Sequence, residues 1–175
     1  GSGKTFFLLL VRTVALELNL VATSADLAPD RRLHSTDGLA RALYSELAAG
    51  LATRTKPEGG ALPNVVERFV TGAIQEAQQS GRDASAVIAS RLAQLSELPN
   101  GYDFAEVVGA YWRGHDQGDD ALKSNAIRWL RGEINTKTEA RQLLGVRAIV
   151  DDESAYDFLK ILARFVRLAG YGGLI

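Results

Sequence analysis

The 175-residue sequence contains no cysteine and no methionine, and it has only two histidines. Without cysteine the chain can form no disulfide, no thiolate metal site and no cysteine nucleophile, which is compatible with a reducing cytoplasm. His34 and His115 are far apart and lack the spacing of metal ligands, so a zinc site is not expected. The absence of methionine leaves the chain without an initiator residue and suggests a partial protein.

The sequence also lacks an excess of charge of either sign. Lys and Arg number 20, Asp and Glu number 21, and the formal net charge is -1. No overall field therefore attracts the chain to nucleic acid or to an anionic membrane, and any such contact must be local. No apolar run approaches the length of a membrane span, and Arg12 interrupts the run at residues 6–11.

Hydrophobic periodicity predicts a mainly helical chain. Residues 6–19 are apolar almost all round, which is typical of a helix that is buried on several sides. Segments rich in Gly and Pro separate the other predicted helices. These helices are predicted at 36–54, 62–80, 85–98, 102–114, 119–132, 138–144 and 153–169.

Two short segments predict strands. Residues 20–27, LVATSADL, are rich in Val, Thr and Ala, alternate in part, and stop at the turn-forming segment APDRR. The final residues, GYGGLI, turn out of a helix and resemble the first residues of another strand. Because the chain opens on a glycine loop and ends on an apolar strand start, we expect it to be an internal segment of a larger domain.

The opening residues GSGKT match the end of the phosphate-binding loop G-x-x-x-x-G-K-[ST], which lies between a strand and a helix. In this interpretation Gly1, Ser2 and Gly3 belong to a loop whose backbone N–H groups cradle phosphate oxygens, and the following helix adds its positive end. Lys4 reaches the β- and γ-phosphates of ATP, and the Thr5 hydroxyl coordinates Mg²⁺.

The alternative explanation for GSGKT is a Gly-Ser-Gly linker left by cloning. Lys4, Thr5 and the apolar helix directly after them favour the phosphate-binding loop, because a helix in this position is the context that the motif requires.

ATP hydrolysis also requires an acidic residue that holds Mg²⁺ and helps to position water. Asp151 and Asp152 follow the short apolar run 148–150. However, Asp-Asp-Glu-Ser ahead of an apolar periodic segment is also typical of a helix start, and we favour that interpretation. The acidic strand is then expected beyond Ile175, and no catalytic residue is assigned.

The segment 126–147 is locally basic, and its stretch TEARQLLGV resembles the first half of a helix-turn-helix with Gly145 at the turn. The functional interpretations are a contact with the DNA backbone, or an arginine that reaches nucleotide at a subunit interface. The alternative, favoured by the balanced charge, is a solvated helix face with Trp129 and other apolar residues in the core. Tyr111 and Trp112 are likewise assigned to packing.

Three stretches carry a resemblance to a known family, and they are GSGKTFFLLLVR, DLAPDRRLHSTDGLARALYSELAAGLATRT and WLRGEINTKTEARQLLGVRAIVDDESAYDFLKILARFVRLAGYGGLI. Together they resemble the P-loop ATPases of the BREX phage-defence type, the BrxC/BrxD ATP-binding group. The resemblance covers most of the chain and is weakest at 56–120. Many nucleoside triphosphatases share the G-K-T motif, so the resemblance depends on the longer stretches.

The resemblance implies an α/β fold, namely an AAA-like P-loop NTPase domain with a parallel sheet. The chain would be a fragment of that domain, and the fragment is mostly α-helical as it stands. Residues 1–175 would be a partial ATP-binding domain, cut inside the phosphate-binding loop and before the acidic strand. ATP and Mg²⁺ are the implied ligands, with hydrolysis in the longer protein but not in this segment alone. The phosphate and Mg²⁺ roles fall to Gly1, Gly3, Lys4 and Thr5.

The resemblance also implies a cytoplasmic role in prokaryotic defence against foreign DNA. The implied partners are further copies of the chain or other defence proteins. DNA would be contacted locally or through those partners, and no membrane contact is implied. A rival hypothesis is a non-enzymatic helical interaction module that contacts DNA through 126–147. A third, a small kinase, would need Asp151 or Asp152 as its catalytic acid.

Overall fold

The computed structural model describes residues 2–26 and 38–175, without the side chain of Ser2. Within those ranges the backbone forms eight α-helices. They are α1 (Ser2–Glu17), α2 (Leu39–Ala49), α3 (Leu62–Ser80), α4 (Ala84–Ser96), α5 (Gly101–Gln117), α6 (Asp120–Leu130), α7 (Lys137–Leu144) and α8 (Ala155–Leu168).

Capping residues set the ends of most of these helices. The side chains of Asp83, Asp119 and Thr136 accept hydrogen bonds from backbone N–H groups in the first turns of α4, α6 and α7. Gly81 and Gly118 follow α3 and α5 in the left-handed conformation, which is open to glycine without a steric cost. The helices predicted from residue 62 onwards are therefore confirmed, with ends that shift by a few residues.

The helix predicted at 36–54 is shorter in the structure. Helix α2 spans Leu39–Ala49, and Gly50 ends it by donating its N–H to the carbonyl oxygen of Glu46. Residues 51–61 follow without helix, and residues 36 and 37 lie outside the described part of the chain.

The hydrophobic core lies where α3, α4, α5, α6 and α8 meet, with α5 packed against α4 and α6. Aromatic rings fill its centre. The ring centroid of Phe165 lies 5.1 Å from that of Phe69 and 5.5 Å from that of Phe104, and Trp129 lies 5.3 Å from Phe158. Tilted and edge-on contacts of this kind add to the stabilisation that burial of the rings supplies.

The predicted α/β fold with a parallel sheet is wrong, because the described residues form helices and isolated bridges but no strand and no sheet. The strand predicted at 20–27 is absent from residues 20–26, and Leu27 lies outside the described residues. The strand start predicted at GYGGLI is a single bridging residue, Leu174. A parallel-sheet P-loop fold is therefore not the architecture of the described residues.

Each bridge joins a single pair of residues. Val21 pairs in parallel with Leu174, and Ala22 pairs in antiparallel orientation with Ala52. The N–H of Thr23 extends the parallel contact by one hydrogen bond of 2.9 Å. A short alternating segment can form hydrogen bonds with its backbone N–H and C=O groups in such single pairs. Its sequence pattern therefore does not distinguish this arrangement from a strand.

Helix α1 presents an apolar surface to solvent. The side chains with exposed fractions of 44–70% are those of Phe6, Phe7, Leu8, Leu9, Leu10 and Val14. Near its end the helix joins the rest of the molecule, because Ala15 and Leu16 are buried and Arg12 donates a 2.7 Å hydrogen bond to the carbonyl oxygen of Pro57. The prediction that this helix is buried on several sides is wrong for residues 6–10 of the structure.

Side chains of α2 hold the segment that follows α6. The Arg41 guanidinium donates hydrogen bonds to the carbonyl oxygen of Gly132 at 2.7 and 3.1 Å and to Asn135 Oδ1 at 2.6 Å. The buried hydroxyl of Tyr44 donates to the carbonyl oxygen of Leu130 at 2.7 Å. Burial raises the pKa of this hydroxyl above its usual range, so the folded state keeps it protonated.

We expect Tyr44→Phe to lower the free energy of unfolding by about 1 kcal/mol at neutral pH, because the ring remains and the Leu130 carbonyl loses its donor. Because the pKa is raised in the folded state, its contribution to stability is full below the unfolded value of about 10 and is lost gradually as the pH rises above that value towards the folded one. Tyr44→Phe should therefore reduce the loss of stability at alkaline pH. Urea denaturation followed by circular dichroism measures both effects.

Tyr102→Phe is the matched control, because the side chain of Tyr102 is 64% exposed. This substitution should leave the free energy of unfolding unchanged at both pH values. Equal losses for the two substitutions would contradict the assigned role of the Tyr44 hydroxyl.

Candidate functional site

The opening motif forms the first turn of α1. The helix begins at Ser2, so Gly3, Lys4 and Thr5 have helical backbone, and all three are exposed. The N–H groups of Gly3 and Lys4 precede the first hydrogen bond of the helix and have no partner within it. A Cβ built on Gly3 would meet no atom within 4 Å, so the surface at this turn is open. Gly1 lies outside the described residues.

The side chains of Lys4 and Thr5 are available to a ligand. Neither forms a hydrogen bond or an ion pair with another residue of the ranges 2–26 and 38–175. The donors at this turn are an ammonium group, a hydroxyl and unpaired N–H groups at the positive end of a helix dipole. This set of donors fits a phosphate group, because anions bind at helix N-termini through the same groups.

Asp151 and Asp152 both serve the starts of helices. Oδ1 of Asp151 accepts from the N–H of Ser154 at 3.0 Å and from its hydroxyl at 2.6 Å, directly before α8. The carboxylate of Asp152 accepts from the N–H of Gly38 at 2.5 Å and from that of Arg41 at 3.0 Å, at the start of α2. The helix-start interpretation of this acidic pair is therefore confirmed, and its second member serves a helix distant in sequence.

The basic segment 126–147 places its apolar side chains in the core. Trp129 is 1% exposed, and its indole N–H donates to the carbonyl oxygen of Ala148 at 2.8 Å. On the surface Arg128 forms an ion pair of 3.0 Å with Glu139. The favoured interpretation of a helix face with a buried apolar side is confirmed for this segment.

The resemblance to a helix-turn-helix extends only to the first helix and its glycine. Gly145 ends α7 with a φ of 73°, but residues 145–154 separate α7 from α8. A helix-turn-helix joins its two helices through about three or four residues. Any contact of this segment with DNA must therefore use another geometry.

A polar cluster between α3, α5 and α6 is not apparent from the sequence. The carboxylate of Glu67 accepts a 2.6 Å hydrogen bond from the Tyr111 hydroxyl and lies 3.1 Å from His115 Nδ1 and 3.9 Å from Lys123 Nζ. Burial, and then the hydrogen bond to Glu67, raise the pKa of Tyr111 above its usual range. The four-residue spacing of Tyr111 and His115 is a sequence signal for their shared helix face, but Glu67 comes from a different helix.

Tyr111 and Trp112 have the packing role that the sequence predicts. Tyr111 is 4% exposed, and the half-buried Trp112 stacks on the His115 ring with centroids 5.8 Å apart.

Among the residues that the structure describes, no group of three or more His, Asp or Glu could hold a metal ion. None of the described helices is long and apolar enough to cross a membrane.

Over its described residues the molecule is a helical protein whose first helix opens with a Gly-Lys-Thr turn suited to a phosphate group. The family described as BREX system ATP-binding protein BrxC/D matches residues 1–175, and the chain belongs to this family. The resemblance identified in the sequence is thereby confirmed. The family's description names ATP binding and the BREX system. No curated protein and no solved structure matches the chain.

Proposed function

We propose that the chain binds ATP through a P-loop formed by its opening residues, Gly1, Ser2, Gly3, Lys4 and Thr5. The observation that carries this proposal is the Gly-Lys-Thr sequence in the exposed first turn of α1. Membership of a family whose description names ATP binding supports it. The unpaired N–H groups of a helix start also support it, because they attract phosphate oxygens.

The residues of the proposed site have separate roles. The N–H groups of the turn bind phosphate oxygens, and the ammonium group of Lys4 approaches the β- and γ-phosphates. The hydroxyl of Thr5 holds Mg²⁺. Bound ATP supplies the reactive phosphoryl group, while the residues of this chain bind it and orient it.

We further propose that ATP is hydrolysed by a longer protein that contains residues 1–175 and acts in prokaryotic defence against phage. Membership of a BREX system family supports the defence role. No catalytic acid is assigned among the described residues, because Asp151 and Asp152 are engaged at helix starts.

We place this protein in the cytoplasm, where foreign DNA is encountered, and propose that it assembles with copies of itself or with other defence proteins. The family's association with the BREX system supports such a location.

Titration of a fluorescent ATP analogue into the protein, with and without Mg²⁺, tests the proposed function. Saturable binding that Mg²⁺ strengthens is the expected result. If the folded protein gives no saturable binding with Mg²⁺ present, the ATP site must be rejected.

We expect Thr5→Ala to weaken binding of the Mg²⁺ complex about tenfold and to change binding without Mg²⁺ little, because only the proposed metal ligand is removed. Thr5→Ser keeps the hydroxyl and should bind as the unaltered protein does. The same titration measures all three proteins. An equal loss for the alanine and serine variants would argue against a hydroxyl ligand.

A further inference from the structure

Three cationic side chains line one concavity beside α7. The concavity has a volume of about 220 Å³ and is lined by Lys137, Thr138, Arg141 and Arg147. All four residues are exposed. Like charges on neighbouring side chains repel one another, so their convergence on one concavity indicates a place where an anion would stabilise the surface.

The backbone explains how the cations come together. Lys137 and Arg141 are four residues apart in α7 and therefore lie on one face of the helix. Gly145 follows the helix in the left-handed conformation and turns the chain back, which brings Arg147 to the same face. The N–H of Arg147 donates to Asp103 Oδ1 at 3.2 Å, so a side chain of α5 holds the main chain of Arg147 in place.

The positive charge of the concavity is not neutralised within the described residues. No ion pair joins Lys137, Arg141 or Arg147 to an acidic side chain of 2–26 and 38–175. The acid in the first turn of α7, Glu139, is engaged with Arg128 at 3.0 Å.

Arg147 also has acidic neighbours, which do not line the concavity beside α7. Asp103 and Glu106 line a second concavity that shares Arg147 and also includes Tyr102. An anion is therefore favoured on the α7 side of Arg147 and disfavoured on the other.

The N-terminus of α7 adds donors to the same place. The side chain of Thr136 accepts from the N–H of Glu139, which leaves the N–H groups of Lys137 and Thr138 without partners in the helix. These two residues also line the concavity. Two backbone donors, a hydroxyl and three cations are the groups that proteins use to contact phosphate.

We propose that the concavity formed by Lys137, Thr138, Arg141 and Arg147 binds a phosphodiester group of a nucleic-acid backbone. A nucleic-acid backbone fits better than a free nucleotide, because the lining contains no aromatic or large apolar side chain against which a base could pack. The site makes no contact that reads a base, so its binding is independent of sequence. It is separate from the proposed ATP site, and each can fail without the other.

Fluorescence anisotropy of the full protein with labelled duplexes of mixed sequence tests the proposal, with DNA and RNA duplexes as parallel probes. We expect the double substitution Arg141→Gln and Arg147→Gln to weaken binding about tenfold at moderate salt. The slope of log affinity against log salt concentration should become shallower by about 1 for each cation removed. The probe that binds more tightly identifies the nucleic acid.

The matched control is the double substitution Arg164→Gln and Arg167→Gln, which removes the same charge from exposed positions of α8. It should change both affinity and salt slope less than the α7 substitutions do. Equal losses of affinity for the two double variants would mean that overall charge explains the effect, and this result would overturn the proposal. Failure of the unaltered protein to bind either duplex, or binding that the α7 substitutions leave unchanged, would also overturn it.

Discussion

Replacement of Lys4 by alanine is expected to weaken binding of Mg·ATP about 10- to 150-fold. A hydrogen bond between charged groups contributes about 1.5–3 kcal/mol, and each 1.4 kcal/mol corresponds to a factor of ten in affinity. Lys4 is exposed and forms no hydrogen bond or ion pair with the other described residues, so its removal should leave the fold intact. Titration of the fluorescent ATP analogue measures the loss, and circular dichroism verifies the fold.

Lys160→Ala is the matched control for this prediction. Lys160 lies on α8 and forms an ion pair of 2.8 Å with Asp157, away from the first turn of α1. Its removal lowers the net charge by the same amount as Lys4→Ala and should leave ATP affinity unchanged. If the two variants bind ATP equally well, the opening residues are not the phosphate site and the proposed function fails.

The helices can be predicted from the sequence because their signals are local. Asp83, Asp119 and Thr136 stand directly before apolar periodic segments, and each accepts a backbone N–H of the helix that follows it. The roles of Asp151 and Asp152 can be predicted only in part. The role of Asp151 before α8 follows from its neighbours in sequence, whereas the contact of Asp152 with α2 depends on the tertiary fold.

The predictions that failed required knowledge of neighbours in space. Whether residues 20–26 form a strand depends on how many residues lie beside them, and here each pairing is a single bridge. The apolar pattern of α1 predicts a helix but not what covers it, and the side chains of 6–10 are exposed. Alternation and periodicity describe one segment at a time, so they cannot supply either answer.

The two candidate sites differ in the same way. Gly3, Lys4 and Thr5 are adjacent in sequence, so a motif identifies them, although their exposure is known only from the structure. The concavity beside α7 combines Lys137 and Arg141 with a residue that lies beyond a glycine turn. The sequence marks that segment as basic, but it does not indicate which cations converge.

Substitution of Gly101 by alanine is expected to be the most destabilising small change in the described core. A Cβ at this position would lie 1.7 Å from the carbonyl oxygen of Leu95, far inside contact distance. That oxygen belongs to the main chain and accepts the N–H of Leu98 at 3.0 Å, so it cannot move away as a flexible side chain would. We expect a loss of about 3 kcal/mol or more in the free energy of unfolding, measured by urea denaturation.

Gly109→Ala in the same helix separates this steric effect from a general effect of alanine. A Cβ on Gly109 would meet only the end of the Arg113 side chain, at 3.7 Å. Because alanine favours helix over glycine by about 0.5–1 kcal/mol, this variant should be as stable as the unaltered protein or more stable. Opposite outcomes for the two glycines would support the close approach of the start of α5 to the end of α4. Similar stabilities would mean that this turn is more open than the structure describes.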